Sequence, residues 1–198
     1  MGSTRMKLYQ KGIKMRKVIA FAGRQGSGKS FRCSSLVKTQ NYKTLAYADA
    51  LRKIIFVTLG IPYDYGMEHY DELKMTPLYN GQTLPNMMEH LGTEGIRYYD
   101  NDFWAKCLLR EIEKTPETQD ICISDLRFYN EYETLKEFCI EHGYDFQLIF
   151  CDYRSDRYEE HNNHASARLA NFLSEIGYHD GDVVKDSDME AYIEAMKN

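Results

Sequence analysis

The residues with the clearest chemical content are Gly23-Arg24-Gln25-Gly26-Ser27-Gly28-Lys29-Ser30. They follow the apolar run Val18-Ile19-Ala20-Phe21-Ala22 and lead into a helical pattern. The spacing is G-x4-G-K-[ST], the signature of a loop that wraps a polyphosphate. Its glycines let the backbone close around the anion and aim several N–H groups at it. Lys29 adds a point charge for the outer phosphates, and the Ser30 hydroxyl is placed to ligate Mg2+. The helix that follows offers its positive end to the same anion. Gly23, Gln25, Gly26, Ser27, Gly28, Lys29, Ser30 and Phe31 are the candidate triphosphate contacts. A dinucleotide loop fits poorly, because Lys29-Ser30-Phe31 follows Gly26-Ser27-Gly28 without the third glycine.

A second constellation is Asp125-Leu126-Arg127-Phe128-Tyr129-Asn130-Glu131, at the end of a short apolar run. An arginine at a strand end can grip a phosphate with two parallel N–H bonds. Asp125 can accept from a substrate, sit near Mg2+ or hold Arg127 in place. Asn130 and Glu131 can reach a base or orient their neighbours. Arg52, a turn into the helix predicted after Asp49, is a further candidate for an acceptor phosphate. Leu91-Gly92-Thr93-Glu94 places a small Gly-Thr break inside a helical pattern, where a ligand can approach the backbone. Trp104, ten residues later, fits a base-stacking surface or a core position equally well. Arg154 and Arg157 lie in a polar stretch with Arg168 and Lys185 beyond it, and are candidate arginines of a lid that closes over a migrating phosphoryl group. His161-x-x-His164 is a poor metal pattern, with too few ligands at too short a spacing.

These side chains need a scaffold, and the patterning supplies one. Strands are predicted at 17–22, 44–48, 121–123 and 146–151, with a short one at Val183-Val184. Helices are predicted at 29–39, 50–59 with Asp49 as N-cap, 85–99, 102–114, 128–142 and 187–197. Gly143 is a good helix stop. Alternating β and α units predict an α/β fold of about five parallel strands flanked by helices, with ligands at the carboxyl ends of the strands. Residues 61–83 read as irregular, and the polar insertions at 60–83 and 152–168 as mobile flaps. The basic stretch 1–16 reads as a leader outside the fold, and 17–198 as one domain.

Composition sets the outer limits. The 198 residues suffice for one domain with a sizeable core. The net charge of −5, with no basic stripe, argues against broad nucleic-acid binding. Cys33, Cys107, Cys122, Cys139 and Cys151 are scattered, odd in number and free of C-x-x-C, which reads as reduced thiols in a cytoplasmic protein. No apolar run reaches membrane-spanning length.

Together these motifs resemble the bacteriophage deoxynucleoside monophosphate kinase family. The resemblance runs through most of residues 17–197, on the phosphate loop, Asp49 to Arg52, Leu91-Gly92-Thr93-Glu94, Trp104, the Asp125-to-Glu131 stretch and Gly181-Asp182-Val183-Val184. It implies a P-loop nucleoside monophosphate kinase fold, with a monophosphate-binding region at about 49–104 and a lid at about 152–168. The implied reaction moves the γ-phosphoryl group of ATP to a deoxynucleoside monophosphate, in the host cytoplasm if the chain is phage-encoded. Lys29 and Ser30 would serve ATP and Mg2+, with Lys29, Arg127, Arg154 and Arg157 as the catalytic cations. Arg52, Gly92, Thr93, Trp104, Asp125, Arg127, Asn130 and Glu131 would bind the acceptor, and a homodimer is allowed. Asn86 and Glu89 stand where the family tends to have arginine and glutamine. A ribonucleotide or dephospho-coenzyme A kinase, a nucleotide-binding regulatory module and a nucleic-acid end kinase are the other readings.

Overall fold

In the computed structural model, residues 15–153 and 167–197 are described. The chain divides into two compact units, one of 47–108 and one of the residues on either side of it.

The first unit is built on strands β1 (Lys17–Ala22), β2 (Lys43–Leu45), β3 (Ile121–Leu126) and β4 (Asp145–Phe150). They form an all-parallel sheet in the order β2-β3-β1-β4. Parallel neighbours require long crossovers, so helices must lie between the strands in sequence. Helix α1 (Lys29–Gln40) follows β1 directly. The central strand β3 is Ile121-Cys122-Ile123-Ser124-Asp125-Leu126, whose first three residues and Leu126 are fully buried. Such a continuous apolar run suits a strand covered on both faces. On one face, Phe21, Cys33, Tyr42, Cys122 and Cys151 form a core between the sheet and α1. On the other, Phe146 meets Tyr132 of α7 (Tyr129–His142) at 5.9 Å between ring centroids. Phe150 meets Tyr178 at 6.4 Å on the same side. Helices α8 (Arg168–Glu175) and α9 (Asp186–Lys197) join through Phe172 and Tyr192, 5.1 Å apart.

The predicted fifth parallel strand is absent among the described residues. Val183 makes only a single antiparallel bridge to Ile149. Helix α8 lay hidden in sequence behind the polar stretch before it; its buried face is Leu169, Ala170 and Leu173. Arg16, assigned to the leader, is 4% exposed and belongs to the fold. Its guanidinium donates to the carbonyls of Gln119, Ile112 and Thr115 at 2.8, 3.3 and 3.3 Å and lies over the Tyr144 ring. Three carbonyl acceptors satisfy a buried cation that would otherwise be costly to desolvate.

The second unit is helical: α2 (Ala48–Thr58), α3 (Tyr63–Glu68), α4 (Tyr70–Met75), α5 (Leu84–Glu89) and the start of α6 (Phe103–Glu113). Helix α2 buries Leu51, Ile55 and Phe56 against Leu84 and Trp104. That spacing is one apolar stripe of an amphipathic helix. Two differences from the sequence reading stand out. Asp49 is not the N-cap but already lies in the first turn of α2, where its carboxylate meets Arg52. The stretch 61–83, read as irregular, contains α3 and α4, each of six residues. Helices this short draw their stability from tertiary packing rather than from propensity, so periodicity barely registers them.

Candidate phosphate-binding site

The loop from Gly23 to Ser30 joins β1 to α1, as its spacing demands. A side chain at Gly23 would strike the Cys151 carbonyl at the end of β4, so only glycine lets these two strand ends approach. Gly26 and Gly28 have φ of 79° and 83°, the left-handed conformation that turns the loop into the helix.

Lys29 is 6% exposed and folds back onto its own loop. Its ammonium donates to the Gly23 carbonyl at 2.7 Å, the Arg24 carbonyl at 2.5 Å and Ser27 Oγ at 3.3 Å. Burial lowers its pKa to about 8, and the positive charge of Arg127 pushes in the same direction. Cys151 and Asp125 act against that shift. Asp125 and Arg127 therefore share an electrostatic environment with Lys29, at the carboxyl ends of the parallel strands. Ser30 is exposed on the first turn of α1, while Asp125 is half-buried at the end of β3.

The pairing of β1 with β3 explains how Asp125 comes to be there. Ala20 pairs with Ile123, but Ala22 pairs with Leu126, so one additional residue is accommodated at Ser124-Asp125. Such an irregularity re-aims side chains at a sheet end. Just beyond the strand, Glu131 fastens the backbone. It is 2% exposed, and its Oε2 accepts from the backbone N–H groups of Arg127 at 2.9 Å and Phe128 at 3.1 Å. This is one half of a capping box at the start of α7, and it holds the segment that carries Arg127. Asn130, half-buried, lies in the first turn of the same helix.

A cleft of about 800 Å³ opens beside the loop, within the range of small-molecule sites. Gly26, Ser27 and Gly28 form one end, and Phe31 and Tyr153 line it with 78% and 68% of their surface exposed. At its rim Arg32 donates to Asp180 at 2.6 Å, and the other Asp180 oxygen accepts from the Asp152 N–H at 3.1 Å. Sequence reading found Phe31 but missed Tyr153, Arg32 and Asp180. Arg32 and Asp180 are 148 positions apart, and neither stands in a motif.

In the second unit, the Leu91-Gly92-Thr93-Glu94 break is a π-helical turn spanning His90–Ile96. Gly92 is buried, and a Cβ there would lie 2.7 Å from a Leu51 methyl. The glycine thus allows close packing against α2. Trp104 is 3% exposed and donates its indole N–H to the Gly92 carbonyl at 3.0 Å, the core position of its two sequence readings. Thr93 is half-buried beside it in the turn. Asn86 is exposed and accepts from the Thr83 hydroxyl at 3.0 Å, and Glu89 is exposed. Arg52 donates to Asp49 at 2.7 Å and lies over the Tyr70 ring.

Arg154, Arg157, His161 and His164 lie outside the described residues. Arg168 begins α8, and Lys185 stands just before α9. Among the described residues, no group of His, Cys, Asp and Glu side chains is gathered to cage a metal ion, and no helix is long and apolar enough to cross a membrane. The chain matches no protein-family model and no curated protein.

Proposed function

We propose that this chain is an ATP-dependent deoxynucleoside monophosphate kinase. One observation carries the reading: a glycine loop at the end of a buried parallel strand, its lysine buried in the joint field of Asp125 and Arg127. In this reading the triphosphate replaces the carbonyl partners of Lys29, and loop N–H groups take the phosphate oxygens. The donor's nucleoside extends into the adjoining cleft, between Phe31 and Tyr153.

Mg2+ suits the donor set. Ser30 and Asp125 would supply hard oxygen donors, and this ion is ordinarily held by one or two such groups, waters and the substrate phosphates. When bound, it would neutralise charge on the phosphate oxygens. Arg127 is assigned to the acceptor's phosphate, where a planar fork matches the anion. Arg52 is the second unit's candidate phosphate contact. The acceptor phosphate is already ionised at neutral pH, so the reaction requires positioning and charge stabilisation rather than a strong general base.

A coupled ADP-release assay across the deoxynucleoside and ribonucleoside monophosphates tests the proposal. Release of ADP that depends on a deoxynucleoside monophosphate is the expected result. Preference for ribonucleotides or dephospho-coenzyme A would move the chain to another small-molecule kinase. ATP binding with no acceptor-dependent release would leave a regulatory nucleotide-binding module.

A further inference from the structure

Arg52 is held by more than its salt bridge. Its guanidinium carbon lies 5.0 Å from the centroid of the Tyr70 ring. The ring comes from α4, and its hydroxyl donates to Met88 Sδ on α5 at 3.4 Å. A second cation, Lys74, lies 4.5 Å from the same centroid and is paired with Asp71 at 2.9 Å. Asp49, which accepts from Arg52 at 2.7 Å, also interacts with the Tyr63 hydroxyl. Asp49 of its own helix and Tyr70 of α4 thus meet an arginine whose side chain is 15% exposed, and each is in turn held by a neighbour.

A ring held against the guanidinium carbon restricts where the side chain can lie without forming an ion pair of its own. The Tyr70 ring and the Asp49 carboxylate together therefore limit the positions open to the Arg52 guanidinium. A long side chain fixed in this way loses less freedom when an anion arrives, and binds it more tightly.

We propose that Tyr70 is a positioning residue for acceptor recognition, its ring holding Arg52 in the orientation that takes the acceptor's phosphate. The inference rests on the reading of Arg52 as an acceptor contact. It predicts an effect graded by the electron density of the ring, not by its size or its hydroxyl.

The test replaces Tyr70 by Phe, by mono-, di- and trifluorinated phenylalanines, and by Leu. KM is measured for ATP and for the best deoxynucleoside monophosphate, with Arg52→Ala as the reference. Tyr70→Phe should stay within about twofold of the parent, because the ring face is kept. Each added fluorine should raise the acceptor KM, reaching about five- to tenfold for Tyr70→Leu, with the ATP KM and kcat within about twofold. The fluorinated series is close to isosteric, so it decides the matter even where Tyr70→Leu fails to fold. A flat series alongside a raised acceptor KM in Arg52→Ala would overturn the role of Tyr70 alone. An unchanged acceptor KM in Arg52→Ala would remove the premise and the inference with it.

Discussion

Lys29 and Arg52 are cations near the starts of α1 and α2, and the protein secures them by opposite means. Among the described residues, Lys29 is buried and bonded to neutral oxygens, two of them carbonyls of its own loop. Arg52 is bonded to a carboxylate and backed by an aromatic ring. Neutral partners compensate a buried charge incompletely, so Lys29 sits in a setting that favours its own deprotonation. An incoming phosphate would relieve that. Arg52 is compensated already, and an anion there would gain mainly from an orientation fixed beforehand. Under the proposed function, the first arrangement would hold destabilisation in reserve for a ligand, and the second would hold order.

Replacing Lys29 puts the most weight on this contrast. Lys29→Ala should lower turnover by about a hundredfold or more, since one preorganised charge aimed at a transferring group is commonly worth that much. Near-normal turnover would remove Lys29 from the chemistry. Lys29→Met removes the buried charge together with the donor to Gly23, Arg24 and Ser27, so its stability relative to the parent should depend on pH. The pH dependence has a fixed sign. The folded pKa of about 8 lies below the ordinary 10.5, so the unfolded chain binds the additional proton between those values. Parent stability therefore gains on the variant as pH rises through that window. Urea unfolding at pH 7 and 10 would show it, and a constant difference between the two proteins would break the argument.

Triphosphate affinity should follow the same group. A bound phosphate favours the charged lysine, so ATP binding should weaken as pH rises past about 8. Lys29→Arg keeps its proton throughout, so its affinity, weaker overall, should hold level across that range. Calorimetric titration of both proteins between pH 7 and 9 separates the two behaviours. Arg127→Ala should next raise the acceptor KM by about tenfold and leave ATP binding nearly unchanged. Equal effects on both ligands would place Arg127 at the donor phosphates.

The contrast also explains what sequence could convey. The loop, β1 and α1 are contiguous, and the constraints on them act over a few residues, so Gly23 to Ser30 could be placed in advance. Glu131 was legible as chemically significant, but its partners are backbone N–H groups of Arg127 and Phe128, which no side-chain pattern announces. The additional residue at Ser124-Asp125 depends on pairing with β1, about a hundred positions away, and leaves no local trace. In the second unit, Arg52 meets Tyr70 only because three short helices pack, and Gly92 is small because Leu51 needs the space. The expected fifth strand rested on Val183-Val184, two β-branched residues that favour a strand, yet Val183 makes one bridge to Ile149 and no ladder.

Trp104 gives the smallest expected effect on catalysis and the finest test of how the second unit works. Its indole N–H holds the carbonyl of Gly92, in a turn whose helical bonds are already displaced. Trp104→Phe keeps much of the packing but leaves that buried carbonyl short of a donor, which should cost about 1–3 kcal/mol. If Trp104 works only through the core, thermal unfolding should shift while the acceptor KM follows any loosening of the Thr93 turn equally for every base. A stacking role would instead leave stability nearly intact and change the ranking of bases. The indole is 3% exposed, with Phe103 packed edge-on at 4.9 Å, so little of the ring is open to a ligand. The expected outcome is a less stable protein with its base preference unaltered, which would place order in the second unit upstream of recognition.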